Sequence, residues 1–123
     1  KNKIFIDRSD SSSPYNQIHN NSEVKEFLLK KGFEILKFSI LNFEDQVSAF
    51  KNADVIVGAH GSAFANAAFC KPKIRLVELR QSDHKVSLDN IYEANDLNYK
   101  IWLLETNKEG KIFVDIKKLE TYL

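Results

Sequence analysis

Two hydrophobic rhythms take turns along the chain: short unbroken apolar runs, and apolar positions spaced as on a helix. Residues 3–7 (KIFID) form an apolar run and predict a buried strand. A polar loop rich in Ser and Asn follows, with Pro14 inside it. Asn20 with Glu23 three residues later predicts a helix start. Val24, Phe27 and Leu28 then recur at helical spacing, and Gly32 after two lysines is the expected stop. Residues 34–38 are a second strand candidate. Asn42 is placed to cap a helix with Phe43, Val47 and Phe50 on one face, and 54–58 (DVIVG) is a third strand. The segment 62–69 (SAFANAAF) predicts a short helix so free of charge that it must be covered on most sides. A fourth strand is expected at 74–79 and a helix around Leu88, Ile91 and Tyr92. Residues 99–105 and 111–114 flank Asn-Lys-Glu-Gly and predict a hairpin. Asp115 is placed to cap a last helix carrying Ile116, Leu119 and Leu123.

Strand and helix alternate four times, and the early strands are apolar throughout. That pattern predicts an α/β fold: a Rossmann-like, doubly wound, mainly parallel sheet with helices on both faces. Ligands of such sheets sit beyond the carboxyl ends of the strands, near the topological switch point. The loops to search are therefore 8–13, 59–62 and 80–85.

Composition adds constraints. With 123 residues, 43% hydrophobic and 28% charged, the chain suits one ordered domain spanning 1–123. A net charge of +1 lacks the basic excess of a nucleic-acid binder. One Cys excludes an internal disulfide framework and points to a reducing compartment. The longest stretch without a charged side chain, 55–70, is too short and too polar to span a bilayer. There is no Met, which leads to the expectation that the chain is a piece of a larger protein. Arg is scarce beside Lys, so Arg8, Arg75 and Arg80 draw attention as bidentate anion binders.

Gly58 and Gly61 bracket Ala59-His60 at a strand-to-helix junction, where glycine lets a ligand approach the backbone. The amides of Ser62 and its neighbours would favour a phosphate; a plain tight turn is the competing reading. Arg8, ending the first strand before Ser9 and a run of serines, suits a diphosphate, or else pairs with Asp7 or Asp10. His60 is a candidate general base or donor to phosphate or sugar, against the alternative of a packed histidine. A Ser62–His60 hydrolase is a distant reading, because G-x-S-x-G is absent and no third member is evident. Asn66 either braces the His60 loop or touches ligand. Glu78 interrupts an apolar strand and either accepts from ribose hydroxyls or pairs with Arg8, Arg75 or Arg80. Asp83 and His84 lack metal-ligand company, so no metal site is expected. Cys70 reads as a small buried residue. G-x-G-x-x-G, G-x-x-x-x-G-K-[ST] and D-x-D are all absent.

The ordered series IDRSD, N-x-x-E, GFEI, NFEDQVSAFKNADVIVGAHGSAFANAAFC and LVEL resembles the family-61 glycosyltransferases. The resemblance is good from Lys3 to about Arg80 and loose to the end. Ala63, Ala59 and Lys73 stand where that family usually or often carries Gly, Pro and, after Pro72, Gly. The resemblance implies the C-terminal, donor-binding half of a GT-B enzyme. It implies an inverting transfer from a nucleotide sugar, commonly UDP-linked, to a glycan acceptor, without metal or other cofactor. Arg8 and Ser9 would face donor phosphate. His60, Gly61 and Asn66 would match the family's His-Gly and Asn, and Glu78 its Glu-Leu. The implied partner is an N-terminal acceptor domain of the same protein. The implied setting is surface or capsular polysaccharide synthesis, with the protein cytoplasmic or peripheral at the inner membrane face. An isolated half is expected to bind nucleotide weakly, to lack transferase activity and to expose an apolar patch. The competing class is a non-catalytic Rossmann-like binding module.

Overall fold

A computed structural model describes residues 2–85 and 87–123. Five parallel strands form one sheet in the order β2-β1-β3-β4-β5. They are β1 (Lys3–Ile6), β2 (Glu34–Leu36), β3 (Val55–Ala59), β4 (Arg75–Gln81) and β5 (Asn98–Leu104). Four α-helices, α1 (Asn21–Lys30), α2 (Phe43–Asn52), α3 (Asp89–Ala94) and α4 (Ile116–Tyr122), cover the sheet with two 3₁₀ segments, Phe38–Ile40 and Ser62–Phe69.

Strand alternation sends side chains to two separate cores. One face of the sheet carries Ile4, Ile6, Ile56 and Leu76 against Phe50 of α2, Phe64 of the second 3₁₀ segment and Tyr92 of α3. The other carries Phe5, Val57, Val77 and Leu79 against Val24 and Leu28 of α1 and Leu119 of α4. Both faces are covered, which is why the inner strands β1 and β3 carry apolar residues on both sides, as in IFI and VIV. The chain leaves β1 for β2 on one side and returns at β3 on the other. The switch point therefore lies between β1 and β3, at their carboxyl ends.

Several predicted elements differ in detail. The second strand ends at Leu36, because Phe38 turns inward to meet the Phe50 ring edge-to-face at 5.5 Å. The short helix expected at 62–69 is a 3₁₀ helix. Asn42 and Asp115 cap α2 and α4 through side-chain bonds from Asp45 N and Lys118 N. Asn20 does not cap α1 with its side chain. Its amide instead donates to Glu23 and to the Val114 carbonyl, while its oxygen accepts from Val114 N. The expected hairpin reduces to a single antiparallel bridge, Thr106↔Ile112. Ile112 exchanges backbone hydrogen bonds with Gln17 and His19 instead, so the segment before α4 seals the loop after β1. No helix among the described residues is long and apolar enough to cross a membrane.

Candidate functional site

A cavity of about 270 Å³ opens at the switch point. Ile6, Asp7, Arg8 and Asp10 line it from the end of β1, and Ala59, Gly61 and Ser62 from the end of β3. Phe38 and Ser39 of the first 3₁₀ segment and Gln46 of α2 close it.

Arg8 ties the two strand ends together. Its guanidinium donates to the Tyr15 carbonyl at 2.5 Å and to Ser11 Oγ at 3.3 Å. It lies so close over Gly61 that a Cβ there would stand 2.9 Å from Arg8 Nε. The absence of a side chain at 61 is thus what lets Arg8 lie flat across the turn. Partial burial lowers the Arg8 pKa from its ordinary value, but the group stays charged. Ser62 and Ala63 open the 3₁₀ segment, so their amides have no carbonyl below them within it.

Asp7 is sealed at the base of this loop. Its carboxylate accepts from Ser9 N, Asn21 Nδ2 and Lys25 Nζ. Burial pushes its pKa up, but the Ser9 and Asn21 hydrogen bonds and the Lys25 charge outweigh that and hold it below the usual value. Asp10 accepts from Ser39 Oγ at 2.5 Å, which fastens the loop after β1 to the 38–40 turn. Ser9 itself is exposed and lies outside the cavity lining.

A second polar cluster sits beside the cavity. Glu78 pairs in register with Gly58 and points into the apolar core under α3. It is fully buried. One carboxylate oxygen accepts from His60 Nδ1 at 2.9 Å and from Arg80 Nε at 2.8 Å, and the other accepts from the Tyr92 hydroxyl. Burial opposes the charge, but these three donors overcome it and lower the Glu78 pKa. The same burial and carboxylate push the Tyr92 phenol far up. Arg80 Nη2 is buried without a hydrogen bond and lies 3.7 Å from Asp89 Oδ1.

His60 meets His84 edge-on at 4.8 Å, and the exposed Tyr15 stacks on His84 at 5.3 Å. Asn16 Oδ1 accepts from Gln81 N, which fixes its amide so that Nδ2 donates to His84 Nδ1. That contact holds His84 neutral with its proton on Nε2. Its lowered pKa, from burial first and then from the neighbouring Arg80 charge, agrees.

The candidates read from sequence thus fall into two groups. Arg8, Gly61 and Ser62 meet at the cavity. His60 and Glu78 meet in the buried cluster next to it, joined to the first group by the His60–Gly61 peptide bond. Asn66 is buried and its Nδ2 donates to the Ala63 carbonyl, bracing the first turn of the 62–69 segment. Of the partners open to Glu78, Arg80 is the one in contact, while Arg75 bonds to Asn98 and Tyr122. Among the described residues, no group of three or more His, Cys, Asp or Glu is arranged to hold a metal ion. Sequence reasoning missed Asp10 as a lining residue, together with Ser39 and Gln46, because a periodic pattern carries no sign of contacts between a loop and a helix start. Tyr92 was legible only as a core residue, although a carboxylate inside an apolar strand signals that buried donors must exist.

The family model for glycosyltransferase 61 matches residues 1–77, more than half of the chain. The chain belongs to glycosyltransferase family 61. The match runs from β1 into β4 and takes in every cavity-lining residue as well as His60 and Asn66. No curated protein matches the chain. Membership of family 61 makes the protein a glycosyltransferase, acting between a sugar donor and an acceptor.

Proposed function

We propose that this chain is the donor-binding half of an inverting GT-B glycosyltransferase. It takes a nucleotide sugar, UDP-linked, and serves transfer to a glycan acceptor in surface or capsular polysaccharide synthesis at the cytoplasmic side of the membrane. The observation that carries the reading is Arg8 lying across Gly61 at the mouth of the switch-point cavity. A guanidinium beside the free amides of Ser62 and Ala63 is an arrangement for a diphosphate. As the glycosidic bond breaks, negative charge builds on the leaving diphosphate. A preorganised cation there lowers the barrier without a metal.

In this reading His60 stands next to the reacting region. Glu78 accepts from Nδ1, which leaves Nε2 as the nitrogen that can take a proton or meet a donor hydroxyl. An acceptor base comes from the partner N-terminal domain. The exposed Ile40, Phe43 and Phe69, with the two Phe rings edge-to-face at 6.5 Å, supply an apolar surface of the kind a second domain covers.

The test is calorimetric titration of the chain with UDP, GDP, ADP and UMP, with Arg8→Ala as the comparison. The reading predicts binding that favours UDP over UMP and is lost in Arg8→Ala. Absence of nucleotide binding both here and in a chain carrying its N-terminal domain would favour a non-catalytic module.

A further inference from the structure

We infer that Gln81 and Asn16 form a buried relay that aims the Arg8 guanidinium, which makes them positioning residues for the diphosphate. The inference rests on the donor-site reading above and names what holds that site's cation in place.

Arg8 has two anchors, the Ser11 hydroxyl within its own loop and the Tyr15 carbonyl. The carbonyl contact is the shorter of the two, and its direction is set from another part of the fold. The Tyr15 carbonyl and the Asn16 N–H belong to one peptide unit. That unit is planar and trans, so the two groups point in opposite directions. Asn16 N donates to Gln81 Oε1 at 2.8 Å. Holding the N–H on one side therefore holds the carbonyl on the other, towards Arg8.

Gln81 is a firm point from which to hold it. It is the last residue of β4, in register with Leu104 of β5, and it is buried. Its Nε2 donates to Asp83 at 2.7 Å, which leaves Oε1 as the acceptor for Asn16. Its backbone N donates to Asn16 Oδ1 at 2.7 Å, so residues 16 and 81 are joined twice. Asn16 Nδ2 continues the chain of contacts to His84. Asn16 is 1% exposed and has a φ of +59°. Outside glycine that left-handed conformation is uncommon, and Asn is among the residues that tolerate it best. A buried left-handed residue whose side chain is bonded at both polar atoms makes a fixed turn. β3 stands between β1 and β4 in the sheet, so the relay ties the loop after β1 to β4 past the end of β3, where Gly61 leaves room for Arg8.

The consequence is orientation. With Nη1 spent on a fixed carbonyl, the plane of the guanidinium is set and its remaining N–H groups have set directions. Arginine recognises phosphate through a planar fork, so its aim matters in a way that the aim of a lysine ammonium does not.

The test follows Arg8 in the labelled chain before any nucleotide is added. In the parent its guanidinium is expected to give separate Nη signals in nitrogen-15 spectra, because its rotation is hindered. Gln81→Met keeps the length of the side chain but removes the acceptor, and should merge those signals. Asn16→Gly takes the positive φ freely and removes the side-chain links, and should do the same. Titration with UDP and UMP follows. In Gln81→Met the UDP affinity is expected to fall about tenfold and its advantage over UMP to shrink, whereas a merely loosened fold weakens both alike. In an Arg8→Lys background, Gln81→Met should change UDP affinity by less than about twofold. Arg8 signals unmoved by both variants, or equal losses for UDP and UMP, overturn the inference while leaving the donor site standing. Failure of UDP to bind the parent removes the donor-site reading, even where Gln81→Met still frees the Arg8 guanidinium.

Discussion

Gly58 and Gly61 stand three residues apart, and replacing each by Ala should have opposite consequences. A Cβ at 58 would meet Ile6 Cβ at 3.0 Å, Phe64 Cζ at 3.1 Å and the Ile6 carbonyl oxygen at 3.2 Å. Ile6 and Gly58 are register partners in adjacent parallel strands, so the backbone cannot step aside without breaking the ladder. Overpacking of this kind costs about 1–3 kcal/mol. At 61 the nearest atom is Arg8 Nε at 2.9 Å, towards the end of a flexible side chain. The backbone there is extended (φ −178°), which Ala adopts freely. Moving Arg8 gives up two hydrogen bonds of about 0.5–1.5 kcal/mol each, at the low end for the exposed one to Tyr15. The stiffer unfolded chain of an Ala variant returns about 0.4–1 kcal/mol. Gly61→Ala should therefore lose no more than about 1.5 kcal/mol of stability. It should nevertheless lose the charge-assisted contacts of Arg8 to nucleotide, worth about 1.5–3 kcal/mol, or about ten- to hundredfold in affinity. Urea denaturation and UDP calorimetry on both variants measure the two effects separately. A Gly61→Ala protein that binds UDP like the parent, or that is destabilised as much as Gly58→Ala, would refute this reasoning.

Glu78→Ala strands the buried Arg80 and His60 and should cost about 3–5 kcal/mol in denaturant unfolding, while Tyr92→Phe, which removes one donor, should cost about 1–2. Glu78 and Asp7 both have lowered folded-state pKa values, so the stability they confer is present above their unfolded values and lost as pH falls through the folded ones; melting temperature should drop on acidification below about pH 4.5, and less steeply in Glu78→Gln. Asn20→Ala should lower stability by about 1–3 kcal/mol, because it unties α1 from Val114 rather than merely removing a cap. Cys70 is buried and its thiol is pushed up to about 12 by burial, despite Lys71 beside it, so iodoacetamide at pH 8 should label it only after unfolding.

The sheet was legible in the sequence because doubly covered parallel strands announce themselves as apolar runs, as 55–59 does. The last hairpin misled for a physical reason. Residues 111–114 have the alternation of a strand, but Ile112 finds its backbone partners in the 17–19 loop rather than along the open edge of β5. Asn20 shows the same limit, since a side chain with cap chemistry served a contact 94 residues away that no local pattern records. Arg8, Gly61 and Ser62 could be brought to one cavity because fold logic puts strand carboxyl ends together at the switch point. Asp10, Ser39 and Gln46 could not, because their meeting depends on how the loop after β1 lies against the start of α2. The pairing of His60 with Glu78, 18 residues apart, became predictable only once β3 and β4 were known to be parallel neighbours.

The most direct test of the central claim is amide-shift mapping of the labelled chain during titration with UDP. If the switch-point cavity is the donor site, the largest shifts fall on residues 8–11, 39 and 59–63, and they vanish in Arg8→Ala. Shifts concentrated elsewhere, or saturable binding that Arg8→Ala leaves intact, would contradict the account.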